Sequence, residues 1–131
     1  EETKGYANSK GIRIIGDLPI YVSEDSADVW TNPVYFELNH DYQPLKIAGV
    51  PPDAFSESGQ LWGNPTYRWQ DLEEEGYDWW LRRISRGLEE VDILRIDHFR
   101  GFESYWEVDY AAKDAVKGQW QKGPGMKLIK R

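Results

Sequence analysis

The sequence holds 131 residues, 16 Lys+Arg against 23 Asp+Glu for a net charge of −7, and no cysteine. An acidic chain with no basic run lacks the clustered Lys and Arg that phosphate backbones and anionic lipids require, so neither nucleic acid nor a membrane is an expected partner. The absence of cysteine removes disulfides, thiolate zinc sites and Cys nucleophiles, and fits a reducing compartment such as the cytoplasm.

Residues 3–10 read as a helix tail, ended by Gly11 in the left-handed conformation that glycine adopts at little cost. The β-branched run Ile12-Arg13-Ile14-Ile15 predicts a short strand stopped by Gly16-Asp17-Leu18-Pro19. Some sixty residues then separate this strand from the next, punctuated by Pro33, Pro44, Pro51, Pro52, Gly59, Gly63 and Pro65. That is far longer than an ordinary αβ connection, and long structured loops at strand ends build sites. Within it, residues 35–38 and 43–47 are expected to pair as a small hairpin around Asn39-His40-Asp41. From Tyr77 the apolar residues Tyr77, Trp80, Leu81, Ile84, Leu88 and Val91 keep the spacing of one helical face.

Asp92-Ile93-Leu94-Arg95-Ile96-Asp97 reads as a second strand, with Leu94 and Ile96 on one face and an Arg95–Asp97 ion pair, expected buried, on the other. Residues 101–125 are aromatic and polar with weak period, and read as loop and short helix. Met126 to Arg131 reads as the opening of a helix. With no initiator Met, the sequence is expected to be an internal piece of a longer protein. The order strand, helix, strand implies a βαβ unit, a parallel sheet and an α/β fold. No run approaches the ~18 apolar residues of a membrane helix.

Asp97 is the first candidate for chemistry, because the carboxyl ends of parallel strands are where α/β proteins place their catalytic groups. Arg95 on the same face favours the ionised carboxylate that a nucleophile must be. The same spacing suits a purely structural pair equally well. Asp17 repeats the placement after the first strand, where an Asx turn before Pro19 is the competing role. Asp53 and Glu57 sit in the loop Pro51 to Gly59. Trp30, Trp62, Trp106 and Trp120 fall in loops, and aromatic faces among carboxylates suit the C–H faces and hydroxyls of sugars. Trp80 belongs to a core. His40 and His98 lack metal-ligand spacing, and neither a phosphate-cradling glycine loop nor a nucleophile elbow is present, so no metal or cofactor is expected.

Four segments, in order, resemble one family: Gly16-Asp17-Leu18-Pro19-Ile20-Tyr21-Val22 with Asp25-Ser26-Ala27-Asp28-Val29-Trp30; Ala48 to Ser56 through Gly59-Gln60-Leu61-Trp62-Gly63-Asn64-Pro65; Arg95-Ile96-Asp97-His98-Phe99-Arg100-Gly101-Phe102; and Gly118-Gln119-Trp120 with Lys122 to Gly125. They are similar to the 4-α-glucanotransferases called amylomaltases or disproportionating enzymes, glycoside hydrolase family 77. The resemblance implies a (β/α)8 TIM barrel, of which residues 1–131 would be a part holding two βα units and a loop-rich insertion, roughly residues 20–70, over the active site. It implies transfer of α-1,4-glucan segments with retention, acting on maltooligosaccharides and on glucans derived from starch or glycogen, in the cytoplasm or a plastid. By the same resemblance Asp97 is the nucleophile, Arg95 keeps it ionised, His98 binds sugar hydroxyls, Asp53 and Ser56 belong to a loop that closes over substrate, Trp62 stacks on a glucose unit, and Asp17 supports the site. The family's acid/base glutamate and a further aspartate lie on later strands, beyond Arg131. The 131 residues alone are therefore expected to be inactive and poorly folded.

Two other readings remain at this point. One is a non-catalytic glucan-binding module using Trp30, Trp62 and Trp106 as platforms, and the other is an α-amylase-type hydrolase.

Overall fold

The computed structural model describes residues 2–131. In chain order the elements are α1 (Glu2–Ser9), β1 (Ile15–Pro19), α2 (Ala27–Thr31), a 3-10 turn (Pro33–Tyr35), β2 (Lys46–Val50), β3 (Gln60–Pro65), α3 (Trp69–Glu74), α4 (Asp78–Glu90), β4 (Ile93–Asp97), a second 3-10 turn (Phe99–Phe102), β5 (Ser104–Asp109), β6 (Gly118–Lys122) and α5 (Met126–Ile129). β1 and β4 form a two-stranded parallel sheet, while the other four strands form an antiparallel sheet in the order β3-β2-β5-β6. The fold is α/β with mixed sheets.

The helix tail and its stop are as expected, with Gly11 at a φ of +74°. α1 buries none of its residues. It is held instead by Lys4, whose ammonium donates to the carbonyls of Leu88 (3.1 Å) and Val91 (2.9 Å) at the end of α4. A cation there satisfies carbonyls that have no helical partner. The first strand begins three residues later than its sequence suggests. The Asp92 carboxylate takes the Ile14 N–H at 2.8 Å, and the Ile14 carbonyl accepts from Asp92 and Ile93, so the five-residue ladder runs from Ile15↔Ile93 to Pro19↔Asp97. Gly16 to Pro19, read as a stop, is the strand itself, and Pro19 is tolerated as its last residue.

The expected hairpin at residues 35–47 reduces to one bridge, Leu38↔Pro44. Two cross-strand hydrogen bonds flank it, from the Asn39 N–H to the Gln43 carbonyl (2.8 Å) and from the Leu45 N–H to the Glu37 carbonyl (2.7 Å), and the pairing is kept short by the 3-10 turn that Pro33 opens. The Asn39 side chain fixes the turn by accepting from the N–H groups of Asp41 (2.9 Å) and Gln43 (3.0 Å), and Lys46 onward pairs elsewhere as β2.

Residues 101–125, expected as loop and short helix, contain the β5–β6 hairpin, and β5 completes β2 on its other edge. The strand signal was hidden by a charge on the inner face. Glu107 is only 8% exposed and accepts hydrogen bonds from the Thr66 hydroxyl and the Gln121 amide, both at 3.1 Å. Burial pushes its carboxyl pKa up and those bonds partly offset the push. With the folded value above the unfolded one, this group costs stability as pH rises from the unfolded carboxylate range towards the folded value.

The core is aromatic. Trp80, Tyr67, Tyr77 and Phe36 are among its most fully buried side chains, with Ile20, Leu72, Trp69, Trp79 and Phe102 packed around them. α4 begins where expected but turns a wide arc inward, burying the adjacent Trp79 and Trp80, because Tyr35 and Phe36 cover one ring and Trp69 and Phe102 the other. Its far end is looser, and Leu88 is exposed.

Candidate active site

Beyond the carboxyl ends of β1 and β4 lies a cleft of about 220 Å³. Ile20 and Tyr21 follow β1 into it, Trp62 and Asn64 enter from β3, and Asp97 and His98 arrive at the end of β4. His98 has a φ of +53°, a left-handed turn that takes the chain out of the strand in one residue and starts the 3-10 turn behind it. Its ring meets Trp62 edge-to-face, with centroids 4.8 Å apart and planes at 89°. Tyr21 stands 6.2 Å from Trp62 and 6.4 Å from His98. Trp62 donates its indole N–H to Gln60 at 3.1 Å, and the Asn64 amide donates to the Val22 carbonyl at 2.9 Å. The rings are thus held from several sides.

Asp97 is exposed at the mouth of this cleft and accepts no hydrogen bond among the described residues. The expected Arg95–Asp97 pair is replaced by one between strands: the Arg95 Nε donates to the Asp17 carboxylate at 2.8 Å. The register explains the choice. Asp17 lies directly opposite Arg95 in the ladder, whereas Asp97 is two residues along the same strand, roughly 6–7 Å away. The pair is also exposed rather than buried, since this face of the two-stranded sheet is uncovered among the described residues. The hydrogen bond from Arg95 holds the Asp17 carboxyl below its usual range, and the charge of Asp97 adds to the field that keeps Arg95 protonated. Burial pushes the His98 imidazole below its ordinary value against the opposing pull of Asp97. A neutral imidazole offers one donor and one acceptor, a match for vicinal hydroxyls.

Asp53 and Ser56 are not brought to the cleft. They form a turn in the β2–β3 loop that bonds to itself: the Asp53 carboxylate accepts from the N–H groups of Phe55 and Ser56 at 2.8 Å, and the Ser56 hydroxyl donates to the Gly59 carbonyl at 2.8 Å. Phe55, 99% exposed, stands at its tip. Trp106 is no open platform, since it donates to the Ala115 carbonyl (2.9 Å) and packs against Trp120, which lies under the Arg100 guanidinium. Among the described residues no group of three or more His, Asp or Glu could hold a metal, and no helix is long and apolar enough to cross a membrane.

A family model described as 4-alpha-glucanotransferase matches residues 1–131. The chain belongs to the 4-alpha-glucanotransferase family. The 4-alpha-glucanotransferase of Aquifex aeolicus is 56% identical over 131 residues, all of this chain and 27% of that protein. That of Clostridium butyricum is 61% identical over 127 residues, 96% of this chain and 26% of that protein. The amylomaltase from Streptococcus agalactiae in complex with acarbose superposes with a TM-score of 0.96 at 56% identity, covering 98% of this chain and 26% of that one. The chain spans about a quarter of the length of these 4-alpha-glucanotransferases.

Two residues of the cleft, Tyr21 and Asn64, and Gly101 packed behind it carry no part that sequence alone assigns. The Tyr21 hydroxyl is buried with no hydrogen-bond partner among the described residues, and burial pushes its pKa up. A Cβ on Gly101 would stand 2.8 Å from Ile20 Cδ1 and 3.0 Å from His98 Cδ2. No side chain fits there unless the cleft floor moves. On the function proposed below, Gly101→Ala is therefore expected to lower turnover of the whole protein by roughly 10- to 100-fold, with its melting temperature little changed, because a displacement of a few tenths of an ångström reaches His98. Steady-state kinetics beside a thermal melt check this, and unaltered turnover would show that the floor yields without consequence.

Proposed function

We propose that the protein containing this chain is a 4-alpha-glucanotransferase that moves α-1,4-glucan segments onto glucose or maltooligosaccharide acceptors by a retaining double displacement. In this reading residues 1–131 are part of one catalytic barrel domain, with β1 and β4 as two of its parallel strands and residues 20–70 as an insertion over the site. The observation that carries it is the position of Asp97, unbonded at the end of β4 in a cleft walled by Trp62 and His98. The acarbose complex of the Streptococcus agalactiae relative supports a glucan-like occupant.

Retaining chemistry needs two carboxyl groups about 5–5.5 Å apart, one a nucleophile and one an acid/base. Asp97 attacks the anomeric carbon, the bond to the leaving glucan breaks, and the acid/base carboxyl, supplied from outside these residues, protonates the departing oxygen. A sugar hydroxyl then gives its proton to the same group and displaces Asp97. Trp62 stacks on a glucose unit, His98 binds hydroxyls, Arg95 with Asp17 fixes the electrostatics beside the nucleophile, and the Asp53–Ser56 turn closes over the sugar and excludes water. Exclusion of water is what favours transfer over hydrolysis. We place the enzyme in the cytoplasm, with a plastid as the alternative compartment.

The test is to incubate the whole enzyme with maltotriose and follow product lengths and total reducing ends. A ladder of shorter and longer oligomers at constant reducing ends is expected. Rising reducing ends would make the protein a hydrolase, and an unaltered pool would make it a binding module.

A further inference from the structure

β3 leaves its ladder with β2 part-way along. The two strands pair at Gly49↔Leu61 and again at Ile47↔Pro65, so Ala48 alone stands opposite Trp62, Gly63 and Asn64, and the stretch is a bulge. Gly63 at its centre has a φ of +77°. A bulge re-aims side chains and gives up the ladder bonds that would otherwise fix them. Trp62 and Asn64 are the residues of this stretch that wall the cleft. Their position is therefore set by what holds the ends of the bulge.

At the far end the anchor is a buried carboxylate. Thr66, directly after β3, is 0% exposed, and while its N–H donates to the Lys46 carbonyl at 3.2 Å, its hydroxyl donates to Glu107 at 3.1 Å. Glu107 lies on β5, with β2 between it and β3. The residue opposite it on β2 is Ala48, and a methyl group leaves room for the carboxylate to reach across. Its second oxygen accepts from the Gln121 amide on β6 at 3.1 Å, so one side chain ties the end of the bulge to the two strands beyond β2. A buried charge is a poor source of stability, since an apolar group of similar volume often does as well or better. What a carboxylate bonded on both oxygens supplies is geometry, because in a low dielectric its partners have one favourable place to be. Further chain packed over these strands can only deepen that burial.

We propose that Glu107 is a positioning residue for the cleft: its carboxylate, through the Thr66 hydroxyl, anchors the β3 bulge and sets where Trp62 stands against His98. The consequence for sugar binding rests on the glucanotransferase reading. With the anchor in place the Trp62 ring meets His98 edge-to-face at 4.8 Å. Without it the bulge slides, and a stacking face that has moved loses hold of ground state and transition state alike, which raises KM and spares kcat.

The experiment uses the whole protein and maltotriose. Thr66→Val removes the hydroxyl at constant shape and keeps the main-chain bond to Lys46, and Glu107→Gln replaces one acceptor oxygen by an amide nitrogen. Each is expected to raise KM about fivefold and to keep kcat within about twofold. Thr66→Ser, which retains the hydroxyl, should hold KM at the native value. In a Trp62→Ala background the first two substitutions should change KM by less than about twofold, because the ring they position is gone. A native KM in Thr66→Val, or a rise that persists in full without Trp62, would overturn the proposal. So would a fall in kcat and melting temperature at unchanged KM, the mark of a residue that only holds the sheet. If Glu107→Gln does not fold, Thr66→Val decides. If the protein with native residues leaves maltotriose untouched, the glucanotransferase reading falls, and hydrogen exchange then decides on Glu107. The amides of Trp62, Gly63 and Asn64 are expected to lose protection about threefold or more in Thr66→Val, and unchanged protection rejects the anchor.

Discussion

Asp97→Asn is expected, on the double displacement proposed above, to cut glucan transfer by the whole protein roughly 10⁴-fold or more, because an amide cannot form the covalent glycosyl intermediate. The substitution isolates the chemistry well. Asp97 is exposed and accepts no hydrogen bond among the described residues, so no structural bond is lost with its charge. Arg95 keeps Asp17 as its partner, and the aromatic wall of Trp62, His98 and Tyr21 does not depend on the carboxylate. The melting temperature should stay close to the parent value, as for most surface changes. Glucan affinity should persist while the product ladder disappears. Retention of a tenth or more of the parent rate would remove Asp97 from the nucleophile's place.

The same residue shows how far the sequence could be read. A short apolar strand ending in Asp, followed by His98, marks the candidate site because strand ends are where an α/β fold exposes side chains. What the linear order hid was the partner of Arg95. Spacing along one strand proposed Asp97, but a cross-strand neighbour is closer than a residue two positions on, and Asp17 became visible as that neighbour only with the β1–β4 register. Likewise β5 escaped notice because Glu107 breaks the apolar alternation, and its two hydrogen-bond donors, Thr66 and Gln121, come from distant segments. α4 was legible because its period is local. Gly101 reads as an ordinary loop glycine until Ile20 and His98 are seen against it. The β2–β3 turn is a further case: Asp53 and Ser56 keep their positions in the motif, yet their side-chain bonds go to the backbone of the turn itself.

Seven tryptophans invited one explanation and received three. Trp69, Trp79 and Trp80 are core, Trp106 and Trp120 form a cross-strand pair beside the small cluster of Ile47, Val108 and Ala115, and Trp30 and Trp62 face open hollows. Residue type proposed sugar contacts for the loop tryptophans. Burial by neighbouring elements decides which of them have a free face, and that depends on pairings such as Trp106↔Trp120 that no local window contains.

The largest stability effect is expected from Trp80→Ala, a loss of about 3–5 kcal/mol from the cavity left by a fully enclosed indole. Trp80 is 0% exposed and ringed by Phe102 at 5.1 Å, Trp79 at 5.5 Å, Tyr67 at 5.6 Å and Trp69 at 6.1 Å, with the Arg83 guanidinium 4.9 Å from its ring centroid. Its buried indole N–H has no hydrogen-bond partner among the described residues. Trp80→Phe removes that unpaired donor while keeping an aromatic ring, so it should cost well under half as much. Denaturant midpoints of the two variants measure the contrast, and equal losses would place the cost in the indole edge rather than in the ring's packing. The damage should also reach the site. Tyr67, in contact with Trp80, donates its hydroxyl to the Ile20 carbonyl at 2.6 Å and stacks on Tyr21 at 5.9 Å, directly beneath the cleft. Removing the indole frees Tyr67 to shift and takes the support from Tyr21, so on the proposed function the folded fraction of Trp80→Ala in the whole protein should show a raised KM for maltotriose that Trp80→Phe does not.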